Sequence, residues 1–264
     1  MPYDAFLYEV QDGIAKITLN RPDQYNAITL EVYGQLRDIM ADLRGDQNVK
    51  VVVITGKGKA FCSGGDVDQI IAKLFDSDMA GVLEFTRMTG AVVSNMRRLD
   101  KPIISAINGI AAGAGAVIAT ASDFRILSER ARFAFLFTKV GLTGGDMGIA
   151  YLLPRIVGFG RAMELLMLGD TIDAQTADKY GLAYKVVPEA DLESATMELA
   201  ERLASGPTLA YAMTKEMLNN EQDQDLGSAI ETEALGQALL LMGKDHKEFY
   251  QSWKEKRPPK WVGR

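Results

Sequence analysis

Short apolar runs and amphipathic segments take turns along the first two thirds of the chain, a pattern typical of α/β proteins. Apolar and polar side chains alternate over residues 15–20, which predicts a half-buried strand. Residues 49–54 and 103–107 are almost wholly apolar and rich in β-branched side chains, which predicts strands buried on both faces. After Thr29, a suitable N-cap, apolar side chains recur at helical spacing. The pattern predicts an α/β core.

The rest of the chain continues this rhythm and then changes. A glycine-alanine stretch predicts a helix of very small residues, and short apolar runs at 124–127 and 184–187 predict two more strands. From residue 191 onward the pattern is helical only. We therefore predict an α/β core over residues 1–195 and a helical region over 196–264. Leu235, Leu239 and Met242 form an apolar stripe there, which indicates burial against the core or another subunit.

Composition narrows the functional class. Hydrophobic residues make up 47% of the chain, an ordinary globular balance, and no run approaches the length of a membrane span. Asp and Glu outnumber Lys and Arg by 35 to 29, which argues against a nucleic-acid binder. Cys62 is the only cysteine, so neither an intramolecular disulfide nor a cysteine-based zinc site is expected. The N-terminus lacks the basic segment of a signal peptide, so we expect a cytoplasmic protein without a bound metal.

Two glycine-rich segments each follow a predicted strand. Residues 61–66 (FCSGGD) fit a loop in which backbone approaches a ligand and N–H groups bind negative charge, and they fit equally well an ordinary loop capped by Asp66. Residues 108–116 (NGIAAGAGA) half-match a dinucleotide fingerprint, but the third glycine is absent. Two such turns from neighbouring units can each direct one N–H at a common point. Oxyanion holes are built in this way.

Taken in order, residues 19–22, 61–66, 108–123, 140–158 and 256–257 resemble the enoyl-CoA hydratase/isomerase (crotonase) family, and the resemblance covers essentially the whole chain. It implies a stacked ββα spiral with a helical C-terminal trimerisation region. It also implies an acyl-CoA thioester substrate, no tightly bound cofactor beyond the coenzyme A that the substrate carries, and a homotrimer or dimer of trimers.

The resemblance also assigns roles to individual residues. It places the oxyanion hole at the backbone N–H groups of Gly65 and Ala114. Gln24 stands where several relatives have a lysine, which puts one phosphate contact in doubt. The positions that correspond to coenzyme A and substrate contacts are Arg21, Gln24, Ala60, Ser63, Gly65, Asp66, Gly113, Val117 and Phe137.

The chain departs from the family's hydratases at the two positions where these carry catalytic glutamates. Here they are Val117 and Phe137, neither of which exchanges a proton. Instead, residues 141–148 (GLTGGDMG) resemble the aspartate loop of dienoyl-CoA isomerases, ring-opening isomerases and 4-chlorobenzoyl-CoA dehalogenase, although with one extra residue. One carboxylate beside an oxyanion hole suffices to move a proton between carbons. We therefore predict double-bond isomerisation with Asp146 as the proton shuttle.

Three other interpretations stay open at this point. Asp146 fits the N-cap of a predicted helix over residues 149–156. The chain is also compatible with hydration of an unusual cyclic or aromatic acyl-CoA, with Phe137 lining the pocket, although phenylalanines at strand spacing (Phe133, Phe135) more often lie in a core. A non-catalytic acyl-CoA binder is the third. His246, the only histidine, lies in a charged stretch and is expected to be solvated.

Overall fold

The structure, a computed structural model, describes residues 3–263, which contain ten strands and eleven α-helices. The strands are β1 (Phe6–Gln11), β2 (Ile14–Leu19), β3 (Val51–Gly56), β4 (Ala60–Cys62), β5 (Ile103–Ile107), β6 (Ile110–Ala112), β7 (Phe124–Ser128), β8 (Arg132–Ala134), β9 (Ile172–Asp173) and β10 (Lys185–Val187). The helices are α1 (Leu30–Asp42), α2 (Ala72–Leu74), α3 (Met79–Arg98), α4 (Ala114–Ala121), α5 (Ile149–Val157), α6 (Phe159–Leu168), α7 (Ala174–Lys179), α8 (Leu192–Ala204), α9 (Thr208–Asn220), α10 (Leu226–Leu241) and α11 (Lys244–Glu255).

The strands form two sheets, and strands that follow each other along the chain often lie in different sheets. The larger sheet has the order β1-β2-β3-β5-β7-β10 and is parallel apart from β1. The smaller sheet has the order β4-β6-β8-β9, with β9 antiparallel. Each of the pairs β3–β4, β5–β6 and β7–β8 gives one strand to each sheet before the chain enters helices. This confirms the α/β prediction and shows the stacked ββα units that the resemblance implies, although the sequence has no clean repeat.

Alternating residues of β3 explain why its sequence is apolar throughout. Val51 and Val53 pack with α8 in one core cluster, whereas Val52 and Ile54 pack in the main cluster on the other face. Every one of these side chains is buried on its own side, so the strand needs no polar face. The predicted boundary after residue 195 falls inside α8, and this helix contacts β3, β5 and β7. By packing, the core continues to the end of α8.

The sequence pattern located β2, β3, β5, β7, β10 and the start of α1, but it missed the 20-residue helix α3 and several short strands. The Thr29 hydroxyl accepts from Val32 N at 3.3 Å and starts α1 as predicted, and β5 has the predicted bounds. The short strands β4, β6 and β8 were not predicted, because three residues are too few to show a period. Gly109 permits the first two to pair, since a Cβ there would lie 2.0 Å from Lys59 O.

A buried ion network joins the helical region to the core. Asp123, just before β7, accepts from Lys215 Nζ of α9 at 2.7 Å and from Arg97 of α3 at 3.3 Å. Its second oxygen also accepts from Ile103 N at 2.8 Å, so the carboxylate is satisfied on several sides.

Within residues 3–263, no helix combines the length and apolarity needed to cross a bilayer. A cytoplasmic location remains a prediction.

Candidate active site

The two glycine-rich segments meet backbone to backbone. β4 and β6, which precede them, pair in parallel in the smaller sheet. Gly64 has φ +106°, and a Cβ there would lie 3.2 Å from Ala112 O. Gly113 has φ +49°, and a Cβ there would lie 3.7 Å from the Cα of Gly64. The positive φ values and the close approach of the two backbones both require glycine at these positions. The two motifs therefore lie next to each other, as predicted.

The direction of the Gly65 amide follows from its pairing with Ile28. Ile28 N donates to Gly64 O at 2.8 Å, and Asp66 N donates to Ile28 O at 2.9 Å. In extended backbone, successive N–H groups point to opposite sides. The Gly65 N–H therefore points away from Ile28, and within residues 3–263 it donates to no backbone oxygen.

The Ala114 amide lies at the start of a helix and lacks an acceptor for a different reason. Helix α4 begins at Ala114, and its first internal bond runs from Val117 N to Gly113 O at 3.1 Å. Gly113 N donates to Ala134 O at 2.8 Å, which anchors the turn. The first N–H groups of a helix have no acceptor within it, and within residues 3–263 the Ala114 N–H donates to no other backbone oxygen. Both predicted oxyanion donors are thus available, and their joint role remains a prediction.

Cys62 belongs to the first glycine-rich segment, and its role is structural. The side chain is fully buried, and burial raises the pKa of the Cys62 thiol to about 12. Its Sγ accepts from Gly64 N at 3.4 Å. A thiol held protonated and closed to solvent is a poor nucleophile, in agreement with the interpretation from sequence.

Asp146 is half-buried on the loop before α5. Its Oδ1 accepts from Met147 N at 2.9 Å. Burial raises the pKa of the Asp146 carboxyl, and the Met147 N–H offsets part of that rise. Met147 itself is buried with φ +51°, an uncommon conformation for a non-glycine residue. A raised pKa makes the carboxylate a stronger proton acceptor than an ordinary aspartate, which suits a group that takes and returns a proton.

The helix-cap alternative for Asp146 is wrong. The N-cap of α5 is Gly148, with φ +86° and no side-chain cap bond. Only the backbone oxygen of Asp146 takes part there, accepting from Ile149 N at 2.9 Å. The carboxylate is therefore not used to satisfy the first turn of α5.

Tyr33 of α1 connects these parts and was missed as a site residue. Its hydroxyl oxygen would lie 3.8 Å from a Cβ on Gly65. Burial raises the pKa of the Tyr33 phenol, and the charge of the Asp146 carboxylate raises it further. The sequence shows Tyr33 only as one member of the apolar face of α1, so no pattern marks its hydroxyl.

The segment predicted to bind coenzyme A is fastened to the first glycine loop. Ser63 N donates to Tyr25 O at 3.0 Å. Arg21 NH1 donates to Asp66 Oδ2 at 2.8 Å and to Ala27 O at 2.6 Å. These predicted contact residues are thus brought together, yet Arg21 and Asp66 pair with each other. The Gln69 N–H lowers the pKa of the Asp66 carboxyl most, and the pairing with Arg21 lowers it further. Contact of Arg21 and Asp66 with coenzyme A remains a prediction.

Comparison with known proteins decides the family. Residues 9–264 match the family description "Enoyl-CoA hydratase/isomerase". A 1,2-epoxyphenylacetyl-CoA isomerase of Escherichia coli (strain K12) is 32% identical over 259 residues, 98% of each chain. A trans-2-decenoyl-(acyl-carrier-protein) isomerase of Streptococcus mutans is 32% identical over 100% of both chains. A crystal structure of a Streptomyces coelicolor A3(2) protein assigned as an enoyl-CoA hydratase superposes with TM-score 0.98 at 51% identity, covering 100% of this chain and 96% of that one. The chain belongs to the enoyl-CoA hydratase/isomerase family.

Two of the predicted substrate contacts of this family member lie in the protein core. Val117 of α4 is fully buried, and Phe137 is 8% exposed on a short helical turn. Phe133 and Phe135 are fully buried, so the core interpretation of the aromatic cluster is confirmed for them. At neither hydratase glutamate position does this family member present an ionisable group. Gln24 is exposed, and Ala60 is buried at the start of β4.

No group of three or more His, Cys, Asp or Glu side chains is arranged to hold an ion between residues 3 and 263. His246 is exposed on α11 and stacks on Phe249, as its charged surroundings predict.

Asn26 is a second residue that sequence reasoning missed, and it holds the coenzyme A segment in place. It is 2% exposed with φ +57°, a conformation that asparagine tolerates. Its Oδ1 accepts from Arg21 N at 2.9 Å. Its Nδ2 donates to Lys57 O at 3.0 Å and to Ala60 O at 2.8 Å. One side chain therefore joins its own loop to the turn between β3 and β4.

Replacing this side chain is expected to destabilise the protein. Asn26→Ala removes the partner of the Arg21 N–H and of Lys57 O and leaves Ala60 O with Asn108 Nδ2, and we expect the free energy of unfolding to fall by about 2 to 3 kcal/mol. Urea denaturation followed by circular dichroism measures the change. Exposed Asn48→Ala is the matched control and should shift stability by less than about 0.5 kcal/mol. Equal stability of the two variants would show that the bonds of Asn26 are dispensable.

Proposed function

We propose that this enzyme moves a carbon–carbon double bond in an enoyl-CoA thioester, with Asp146 as the proton shuttle. The observation that carries the proposal is a half-buried carboxylate with a raised pKa whose charge acts on the Tyr33 phenol beside Gly65, while the two hydratase glutamate positions are Val117 and Phe137. The names of two relatives, both isomerases of thioester substrates, support it.

The reaction proceeds by one proton transfer out and one back. The Asp146 carboxylate removes a proton from the α-carbon of a 3-enoyl thioester, and the electron pair of the C–H bond moves toward the thioester oxygen. The N–H groups of Gly65 and Ala114 stabilise the negative charge on that oxygen. The Asp146 carboxyl then returns the proton to the γ-carbon, which gives the 2-enoyl thioester. The balance needs no cofactor beyond the coenzyme A of the substrate.

Exchange in deuterated water tests this function. The protein is incubated with 3-hexenoyl-CoA, 2-hexenoyl-CoA and a panel of cyclic and aromatic acyl-CoA thioesters, followed by mass spectrometry and NMR. We expect interconversion of 2- and 3-enoyl isomers with deuterium uptake and without gain of a water. Gain of the mass of water would identify a hydratase, in line with relatives named as hydratases. Thioester binding with neither isomer interconversion nor deuterium uptake would identify a non-catalytic acyl-CoA binder.

We also propose that the enzyme assembles as a homotrimer or a dimer of trimers. The apolar stripe predicted in the C-terminal region is exposed on a single chain, so the core does not cover it. The exposed side chains of this surface are Leu226, Leu235, Leu239, Met242 and Trp253. Apolar surface of this kind is typical of subunit interfaces. Light scattering after gel filtration measures the mass, and a monomer would contradict the proposal.

A further inference from the structure

The side chain of Tyr33 is polar in a place where packing alone calls for an apolar residue. Tyr33 lies in the first turn of α1 and is 4% exposed. Its ring packs edge-on against Phe85 of α3, with 6.1 Å between centroids. A Cβ on Gly65 would meet Ile70 at 3.7 Å and the Tyr33 hydroxyl at 3.8 Å. The ring belongs to the core, and its hydroxyl is the polar group beside the first oxyanion donor.

This hydroxyl has no partner in the protein. Among residues 3–263 no hydrogen bond joins the Tyr33 oxygen to another protein atom. The oxygen is not one of the fully buried unpaired side-chain atoms of the described residues, so solvent reaches it. Asp146 is not its acceptor, because no hydrogen bond joins the two side chains and the Asp146 Oδ1 accepts from Met147 N. A ligand bound beside Gly65 displaces the solvent at the hydroxyl, so the ligand is expected to provide the acceptor.

Building on the proposed function, we propose that the Tyr33 hydroxyl is a third hydrogen-bond donor to the enolate, beside the N–H groups of Gly65 and Ala114. When Asp146 takes the α-proton, the electron pair moves to the thioester oxygen, which lies at the Gly65 N–H. Tyr33 donates its O–H to this negative charge and keeps its proton throughout. No bond of Tyr33 is formed or broken, so the proton balance stays between substrate and Asp146.

The electrostatics of the phenol suit this role. Burial keeps the pKa of Tyr33 above its usual range, so the hydroxyl is protonated at every working pH. A hydrogen bond to a charged acceptor is about twice as strong as one to a neutral acceptor. The bond is therefore stronger with the enolate than with the uncharged thioester, and it should increase kcat rather than substrate affinity.

Removal of the hydroxyl alone tests the proposal. In Tyr33→Phe we expect kcat with 3-hexenoyl-CoA to fall about 100-fold, the effect of losing one oxyanion donor. Binding of hexanoyl-CoA, a saturated thioester of equal length, should stay within about twofold of the parent protein by calorimetry, because the ground state uses the bond little. The acid limb of the pH–rate profile, which reports Asp146, should not move. Tyr180→Phe, whose hydroxyl bonds Glu164 at 3.4 Å, is the matched control and should keep full activity.

Each other result overturns the role of Tyr33. Unchanged kcat would remove it from the reaction. A parallel loss of kcat and of hexanoyl-CoA binding would make it an acyl-group contact. A shifted acid limb would mean that Tyr33 acts through Asp146, and a loss explained by a lower melting temperature would make it structural. Failure of the proposed function is distinguishable, because the parent protein itself would then not interconvert 2- and 3-hexenoyl-CoA.

Discussion

Asp146→Asn is expected to lose most of the turnover of 3-enoyl thioesters and to gain stability at neutral pH. The amide has nearly the shape of the carboxylate but cannot accept the α-proton, so we expect kcat to fall by about 10² to 10⁴-fold, the usual contribution of a general base. Deuterium uptake at the α-carbon should fall equally. Asp170→Asn, an exposed carboxylate paired with Lys139 at 2.8 Å, is the matched control and should keep full activity.

The pH dependence of both quantities follows from the raised pKa of Asp146. The base must be ionised, so kcat/KM should rise with pH, with an acid limb above the ordinary aspartate value of about 3.9. Because the folded protein binds this proton more tightly than the unfolded chain does, wild-type stability rises as pH falls through the raised pKa. The advantage of Asp146→Asn in melting temperature should therefore be present at pH 7 and disappear in acid. Full turnover in Asp146→Asn, or an acid limb at the ordinary value, would contradict the assignment.

Gly115→Ala is expected to be the most damaging change of a single methyl group. A Cβ on Gly115 would lie 2.4 Å from Cys62 O and 2.6 Å from the Cβ of Cys62, so α4 must move away from β4. We expect a loss of stability of about 3 kcal/mol or more, at the upper end for overpacking. Such a movement also displaces the Ala114 N–H, and a shift of about 1 Å in a reacting group can cost about 100-fold in rate.

Denaturation and turnover of the folded fraction measure these effects separately. Gly160→Ala is the matched control, because Gly160 is exposed in α6 and a Cβ there meets nothing within 4 Å. Removing a helical glycine should raise stability by about 0.5 to 1 kcal/mol and leave the rate unchanged. If Gly115→Ala behaved like this control, the close contact between the two glycine loops would not be required for activity.

The sequence by itself determined most strands of the larger sheet, helix α1, the α/β class and the family. Period-two alternation in β2, continuous apolar residues in β3 and β5, and the Thr29 cap are local signals, so a single segment contains all the information needed to recognise them. The ordered motifs around Gly65 and Gly113 likewise indicated the correct family. The loss of both hydratase glutamates, at Val117 and Phe137, is also visible directly in the sequence.

Only the tertiary structure decided what the polar groups near these motifs do. Arg21 and Asp66 pair with each other, Asn26 joins its loop to the turn between β3 and β4, and the Tyr33 hydroxyl lies beside Gly65 although its helix begins more than thirty residues earlier. Asp146 does not cap α5, because the chain turns through left-handed Met147 and Gly148 before the helix begins. A sequence pattern reports which face of an element is apolar. Which hydroxyl, amide or carboxylate meets which depends on contacts between distant segments, and these arise only when the sheets and helices pack.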